Sequence, residues 1–314
     1  MRWLVPRLAG VVATKTPQHD GNHRCVWKQR AVVESADGED GVMAAGYVDT
    51  NGVRLWYEEL GRPDGAPVLL VMGGGGSVVW WPPELLRGLV GAGYRVVQFD
   101  NRDVGLSSYV DWASAPYGIE DMAGDAMGVL DAVGIDAAHL VGVSVGGMIC
   151  QAAALRYPDR VRSLTLISTT PGPDSRLSPG DDSVFAGLDR PVQTDEDIAE
   201  LEVDFCRAVA GSRFAFDEQY YRDIVAADLA RGMNPAANAP SASSRIDDLA
   251  RIQAPTLVVH GTEDPVYPYD HAEVLAKGIP KATLVSWEGV GHEQPPQLVP
   301  ELTRLVIRHI DAAS

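Results

Sequence analysis

Ser144 lies in Gly142-Val143-Ser144-Val145-Gly146, between an apolar run ending at Val141 and a small-residue stretch compatible with a helix. A serine in G-x-S-x-G at a strand-to-helix turn can be a nucleophile, because small flanking residues let the backbone turn sharply and present the hydroxyl. The hydroxyl is weakly nucleophilic at neutral pH and needs a base, usually histidine, itself oriented by a carboxylate. Two later segments supply candidates: His260-Gly261-Thr262-Glu263-Asp264-Pro265 and Gly289-Val290-Gly291-His292. Glu263 and Asp264 both stand at the acid position, since adjacent side chains at a strand end point differently. Attack on an acyl carbon also requires amide donors for the developing oxyanion. The N–H of Val145, next to the serine, is one; the loop Gly73-Gly74-Gly75-Gly76 offers another.

These residues need a scaffold that brings distant strand ends together. Apolar runs at 68–72, 94–99, 139–141, 164–167, 256–259 and 283–285 alternate with helix-like segments. That alternation indicates a parallel sheet covered on both faces, which binds ligands beyond the carboxyl ends of its strands. Ile119, Met122, Ala126, Val129, Leu130 and Val133 form one helical stripe, and Leu298, Leu302, Leu305, Val306 and Ile310 form another. Ahead of them, Asn51-Gly52 between two β-rich runs signals an antiparallel hairpin. The expected organisation is a disordered extension over 1–42, a core over 43–170 and 248–314, and a helical cap inserted at 171–247. Met43 is a candidate natural start.

Composition excludes several classes. The 314 residues suit one large core carrying an insertion, and a net charge of −17 disfavours nucleic acid and anionic membrane surfaces. No apolar run reaches the roughly 18 residues of a membrane helix, and Arg7 interrupts the short apolar start that would otherwise imitate a signal peptide. Cys25, Cys150 and Cys206 are widely separated, which fits a reducing cytoplasm and no zinc site. The glycine loop lacks the Gly-Lys-Ser/Thr of a phosphate loop. His292-Glu293 lacks the second histidine of H-E-x-x-H, and Pro295 and Pro296 break any helix there. Asp100, Arg102 and Asp103 read as an ion-paired turn, His139 and His260 as structural, and His19, His23, His271 and His309 as solvent-facing.

The G-x-S-x-G turn, Asp100-Asn101-Arg102-Asp103-Val104-Gly105-Leu106-Ser107, Gly261-Thr262-Glu263-Asp264-Pro265 and Gly291-His292 together resemble the α/β-hydrolase fold serine hydrolases over most of 46–314. Val71-Met72-Gly73-Gly74, Asp103 and Pro116-Tyr117-Gly118 are similar to the aclacinomycin methylesterase group. The resemblance implies a triad of Ser144, Asp264 and His292, selecting Asp264 over Glu263. It sets Met72-Gly73 in the place of the family's usual His-Gly, making Gly74 the second oxyanion donor, with Gly75 the alternative. It implies a carboxylic-ester hydrolase acting through an acyl-enzyme on a small-molecule ester, with a methyl ester on an aromatic or polyketide-like scaffold as the sharpest form, and no metal or organic cofactor. Trp80, Trp81 and Tyr117 are candidate substrate-stacking residues. Lactonase, thioesterase, perhydrolase and carbon–carbon bond hydrolase chemistry share the triad, and a non-catalytic binding module shares the scaffold. Haloalkane dehalogenases and epoxide hydrolases resemble this fold but place Asp where Ser144 stands.

Overall fold

The computed structural model describes residues 42–186, 190–234, 237 and 239–313. The expectations for the N-terminal extension, Cys25, His19 and His23 fall outside them, apart from Val42, which opens the first strand. Strand β1 (Val42–Thr50) and β2 (Val53–Gly61) form the hairpin, with Asn51 and Gly52 at φ 48° and 78°. Two positive φ values in a two-residue loop match the right-handed twist of the strands they join.

After the hairpin come β3 (Pro67–Val71), β4 (Arg95–Phe99), β5 (Ala138–Val143), β6 (Val161–Ile167), β7 (Thr256–Gly261) and β8 (Ala282–Trp287). The sheet order is β1-β2-β4-β3-β5-β6-β7-β8; β1–β2 and β2–β4 pair antiparallel, and every later pair is parallel. Strand β5 extends beyond its apolar run because Ala138, Gly142 and Val143 pair with β6 although glycine interrupts the hydrophobic signal.

Alternate residues sort to the two faces of the sheet. Val68, Leu70, Val96, Val141, Leu257 and Val259 pack with α1 (Pro83–Gly91) and the last helix, whose Leu302, Val306 and Ile310 are fully buried. Leu69, Val71, Val97, Leu140, Leu164 and Val258 pack instead with α2 (Ile119–Ala132) and α3 (Val145–Arg156). With both faces covered, each strand reads as a continuous apolar run, while its side chains still alternate. Helix α3 is buried from Val145 to Ala154, so it shows no amphipathic stripe.

Between β6 and β7 the chain forms α4 (Ser183–Ala186), α5 (Asp195–Ala208) and α6 (Glu218–Arg231). Thr194 caps α5 by accepting from the Asp197 N–H, while Asp197 accepts from the Thr194 N–H. Helices α7 (Asp270–Gly278) and α8 (Val299–Ala313) follow β7 and β8. His271, expected in solvent, is buried in α7: Nδ1 meets Thr170 Oγ1 at 2.8 Å and Nε2 meets the Ser178 carbonyl at 2.9 Å. Packing of α7 against the segment after β6 overrides the local sequence there. His309 is half-buried, and burial lowers its pKa.

Candidate active site

Ser144 follows the end of β5 with φ 53° and ψ −119°, a region costly for any residue with a side chain. Its surroundings hold it there. The Ser144 N–H donates to the Ile167 carbonyl at 2.9 Å, and its own carbonyl accepts from Thr169 Oγ1 at 2.6 Å and the Gly147 N–H at 3.0 Å. The two glycines of the motif are required by close approach: a Cβ on Gly142 would lie 2.4 Å from the Gly146 carbonyl oxygen, and one on Gly146 would lie 2.0 Å from that of Val71.

Beyond β7, Asp264 Oδ1 accepts the N–H groups of Val266 at 2.8 Å and Tyr267 at 2.9 Å. Its other oxygen lies 2.8 Å from His292 Nδ1, in the loop after β8. His292 Nε2 then lies 3.1 Å from Ser144 Oγ. Two contacts set the base: the Glu263 N–H donates to the Val290 carbonyl at 2.9 Å, and the His292 N–H donates to the Val209 carbonyl at 2.9 Å, just beyond α5. Burial pushes the Asp264 carboxyl up, but the charge of His292 and hydrogen bonds from His260 and His292 outweigh it and hold the group well below the usual carboxylate range.

A serine, an imidazole and a carboxylate thus form one hydrogen-bonded line at the carboxyl edge of a parallel sheet. Residues 66–295 match the alpha/beta hydrolase fold family. The chain belongs to that family. It is 33% identical over 300 residues to the rhodomycin D methylesterase DnrP of Streptomyces peucetius, covering 85% of this chain and 98% of that one. To the corresponding methylesterase DauP of Streptomyces sp. (strain C5) it is 34% identical, covering 83% and 96%. Among solved structures, a thermophilic esterase from Thermogutta terrifontis superimposes with a TM-score of 0.68 at 24% identity, covering 86% of this chain and 98% of that one.

In this α/β-hydrolase the glycine loop after β3 runs beside the serine. A Cβ on Gly73 would sit 3.3 Å from Ser144 Cβ, and one on Gly74 would sit 3.1 Å from Val145 Cγ2. Gly75, at φ 80°, would carry its Cβ into open space. Gly74 therefore borders the residue whose N–H begins α3, where no intrahelical acceptor is available. Three buried contacts fix the loop: Asn101 Nδ2 donates to the Met72 carbonyl at 3.0 Å, Asp100 accepts the Val78 N–H at 3.0 Å, and Asp228 of α6 accepts the Ser77 N–H at 3.2 Å.

The other candidates separate clearly. Glu263 turns to Ser212, accepting from its N–H and hydroxyl at 2.8 Å each. Asp100, Arg102 and Asp103 are buried; Asp100 and Asp103 hold their own loop by accepting the Leu106 and Val110 N–H groups, while the charged partners lie on remote elements rather than within the turn. Arg102 pairs with Asp125 of α2 at 2.6 Å, Asp100 pairs with Arg231 of α6 at 2.8 Å, and Asp103 accepts from the Tyr117 hydroxyl and Asn234 at 2.8 Å each. Tyr117, offered as a substrate contact, is thus committed to packing, with Arg102 over its ring at 4.8 Å and Trp112 edge-on at 4.5 Å. Trp81 is likewise a core residue, 1% exposed in the α1 and α8 cluster. Trp80 remains half-buried on the turn after the glycine loop, with its indole N–H on Asp228 at 2.7 Å. Among the described residues no group of three His, Cys, Asp or Glu side chains is arranged to hold a metal ion, and no helix is long and apolar enough to cross a membrane.

Two further buried side chains border the site, where their local sequence does not place them. His260 is buried beside the acid, with Nε2 3.3 Å from Asp264 Oδ2 and 2.8 Å from the Tyr267 carbonyl. Tyr267 is buried with its ring edge-on to His292 at 5.4 Å between centroids. Its place three residues after Asp264 was the one available signal.

Proposed function

We propose that this α/β-hydrolase is a serine carboxylic-ester hydrolase working through an acyl-enzyme, and that its substrate is a methyl ester on an aromatic, polyketide-like scaffold. The hydrogen-bonded line from Ser144 Oγ through His292 to Asp264 carries the reading. His292 Nε2 takes the Ser144 proton as Oγ attacks the ester carbonyl, and Asp264 orients and stabilises the imidazolium. The amides of Val145 and Gly74 receive the oxyanion, a role worth about 3–4 kcal/mol per critical donor. The tetrahedral intermediate collapses as His292 returns the proton to the departing alkoxy oxygen. Water then attacks the acyl-enzyme with the same base, releasing the acid and restoring Ser144.

Similarity to two rhodomycin D methylesterases across nearly their whole length supports the methyl ester. Segment 171–247, with α4, α5 and α6, serves as a cap whose aromatic residues and Trp80 shape the scaffold site. The free thiols of Cys150 and Cys206 suit a reducing cytoplasm. A panel of aromatic methyl, aryl and lactone esters tests the reading: methyl esters turn over fastest, and Ser144→Ala lowers turnover by roughly a thousandfold or more while preserving the thermal melt. Wild-type turnover by Ser144→Ala refutes the nucleophile, and preference for lactones refutes the substrate class.

A further inference from the structure

The loop beside Ser144 that offers the second oxyanion donor is made of four successive glycines, so it has no side chains of its own with which to hold a shape. What fixes the run comes from outside it, at its two ends. Upstream, Asn101 holds the Met72 carbonyl. Downstream, two carboxylates hold consecutive amides: Asp228 accepts the Ser77 N–H at 3.2 Å, and Asp100 accepts the Val78 N–H at 3.0 Å. Asp228 is 6% exposed and Ser77 is fully buried. The other oxygen of Asp228 accepts the Trp80 indole N–H at 2.7 Å. That indole lies against the loop, since a Cβ on Gly76 would sit 2.9 Å from Trp80 Cδ1. One carboxylate of the cap thus grips both the end of the glycine run and the ring packed against it.

Asp228 is itself held in place. Arg231, one turn later on α6, pairs with Asp100 at 2.8 Å, which ties the two carboxylates at Ser77 and Val78 together across the boundary between cap and core. At the other end of the α5–α6 hairpin, the connection between the helices grips the base. The Val209 carbonyl accepts the His292 N–H, the Gly211 N–H donates to Glu293 Oε1 at 3.2 Å, and the Arg213 N–H donates to the Gly289 carbonyl at 2.8 Å. The hairpin therefore spans from the His292 loop to the glycine loop. We propose that Asp228 is a positioning residue that holds the oxyanion loop from the cap, so that the cap helps to stabilise the tetrahedral intermediate as well as enclosing substrate. The inference rests on the serine-esterase reading above, with Gly74 as a donor. Asp228 touches no reacting atom; it acts through Ser77 on an amide three residues away. Without it the glycine run regains its freedom, and a donor that is not aimed beforehand loses much of what preorganisation supplies. The penalty falls on the tetrahedral species, whose oxygen carries charge, more than on the planar ground state.

Trifluoroacetophenone and acetophenone separate these two species, because they share a ring and differ in what they form with the enzyme. Ser144 Oγ adds to the electron-poor trifluoromethyl ketone, its proton passes to His292 Nε2, and the former carbonyl oxygen becomes an oxyanion. Acetophenone stays a planar ketone. Competitive Ki values for both are measured against p-nitrophenyl acetate with full-length wild type, Asp228→Ala and Asp228→Asn, and Ser144→Ala is read for turnover alone. A Ki does not depend on the fraction of enzyme that is active, so partial misfolding leaves the comparison intact. Alanine removes both acceptors and favours the helix. Asp228→Ala is expected to lower the ratio of the acetophenone Ki to the trifluoroacetophenone Ki about tenfold, the effect of one misplaced hydrogen bond, with kcat/KM falling by the same factor. Asp228→Asn, which keeps one acceptor, is expected to retain part of the discrimination. A purely structural loss raises both Ki values together or lowers only the total rate. A wild-type ratio in Asp228→Ala overturns the proposal and leaves the serine reading intact. Wild-type turnover by Ser144→Ala overturns both.

Discussion

Around Asp264, two histidines and two backbone amides surround one carboxylate, and this crowding decides how the site responds to acid. A carboxyl held below its ordinary value contributes stability that is fully present above that value, near 3.8 for aspartate, and is lost as pH falls through the lower native one. Asp264 therefore stays ionised through mildly acid conditions. Asp264→Asn is expected to lower kcat by roughly 10³–10⁴-fold at neutral pH, and its melting-temperature deficit should shrink progressively as pH falls from the ordinary carboxylate value towards the lower native one. An equal deficit at pH 7 and in strong acid argues against the ionised pairing. The residues of the Ser144–His292–Asp264 hydrogen-bonded line were legible in the sequence because they stand at a glycine-flanked turn and just past two apolar runs, which are local signals. Tyr267 and His260 were not, since what matters about them is a contact made across the fold. Trp81 and Tyr117 show the converse: an aromatic residue near a site looks the same in sequence whether it faces substrate or packs in the core.

Elements display the same division between local and distant information. The hairpin could be read at Asn51-Gly52, and the parallel strands from their apolar runs. The ion-pair partners of Arg102 and Asp100 could not, because they lie on α2 and α6. Arg102 and Asp125 are both nearly inaccessible, with side chains 6% and 2% exposed, so their pairing locks the β4 loop to α2. Arg102→Met removes one charge and strands the other. It is expected to cost about 3–5 kcal/mol in urea unfolding, and Arg102→Met combined with Asp125→Leu should recover much of that loss. A double variant no more stable than the single one contradicts the stranded-charge explanation. Expected extents erred chiefly at strand ends, where hydrogen bonding continues through glycine or alanine after the hydrophobic signal has faded.

Over the whole molecule, acidity has a local expression in α5. Burial, with a smaller contribution from Asp228, pushes the Glu202 carboxyl up to about 7. A carboxyl raised in the native state contributes stability that is fully present below its ordinary value and is lost as pH rises through about 7. Glu202→Gln, neutral throughout, should therefore melt higher than wild type at pH 8, by the equivalent of about 1–2 kcal/mol, with the gap narrowing through pH 5 and closing below the ordinary carboxyl value. A constant gap across that range removes the buried charge as the cause.

Sheet order also places the makers of the site far apart in time. Ser144 and His292 belong to neighbouring regions of one sheet edge, yet 148 positions separate them along the chain. At roughly 5–20 residues per second, a ribosome needs about 7–30 s to travel from one to the other. During that interval the nascent chain contains its serine without its base. Chains that stop short of β8 lack His292 altogether, so an interrupted round of synthesis leaves no stray esterase behind.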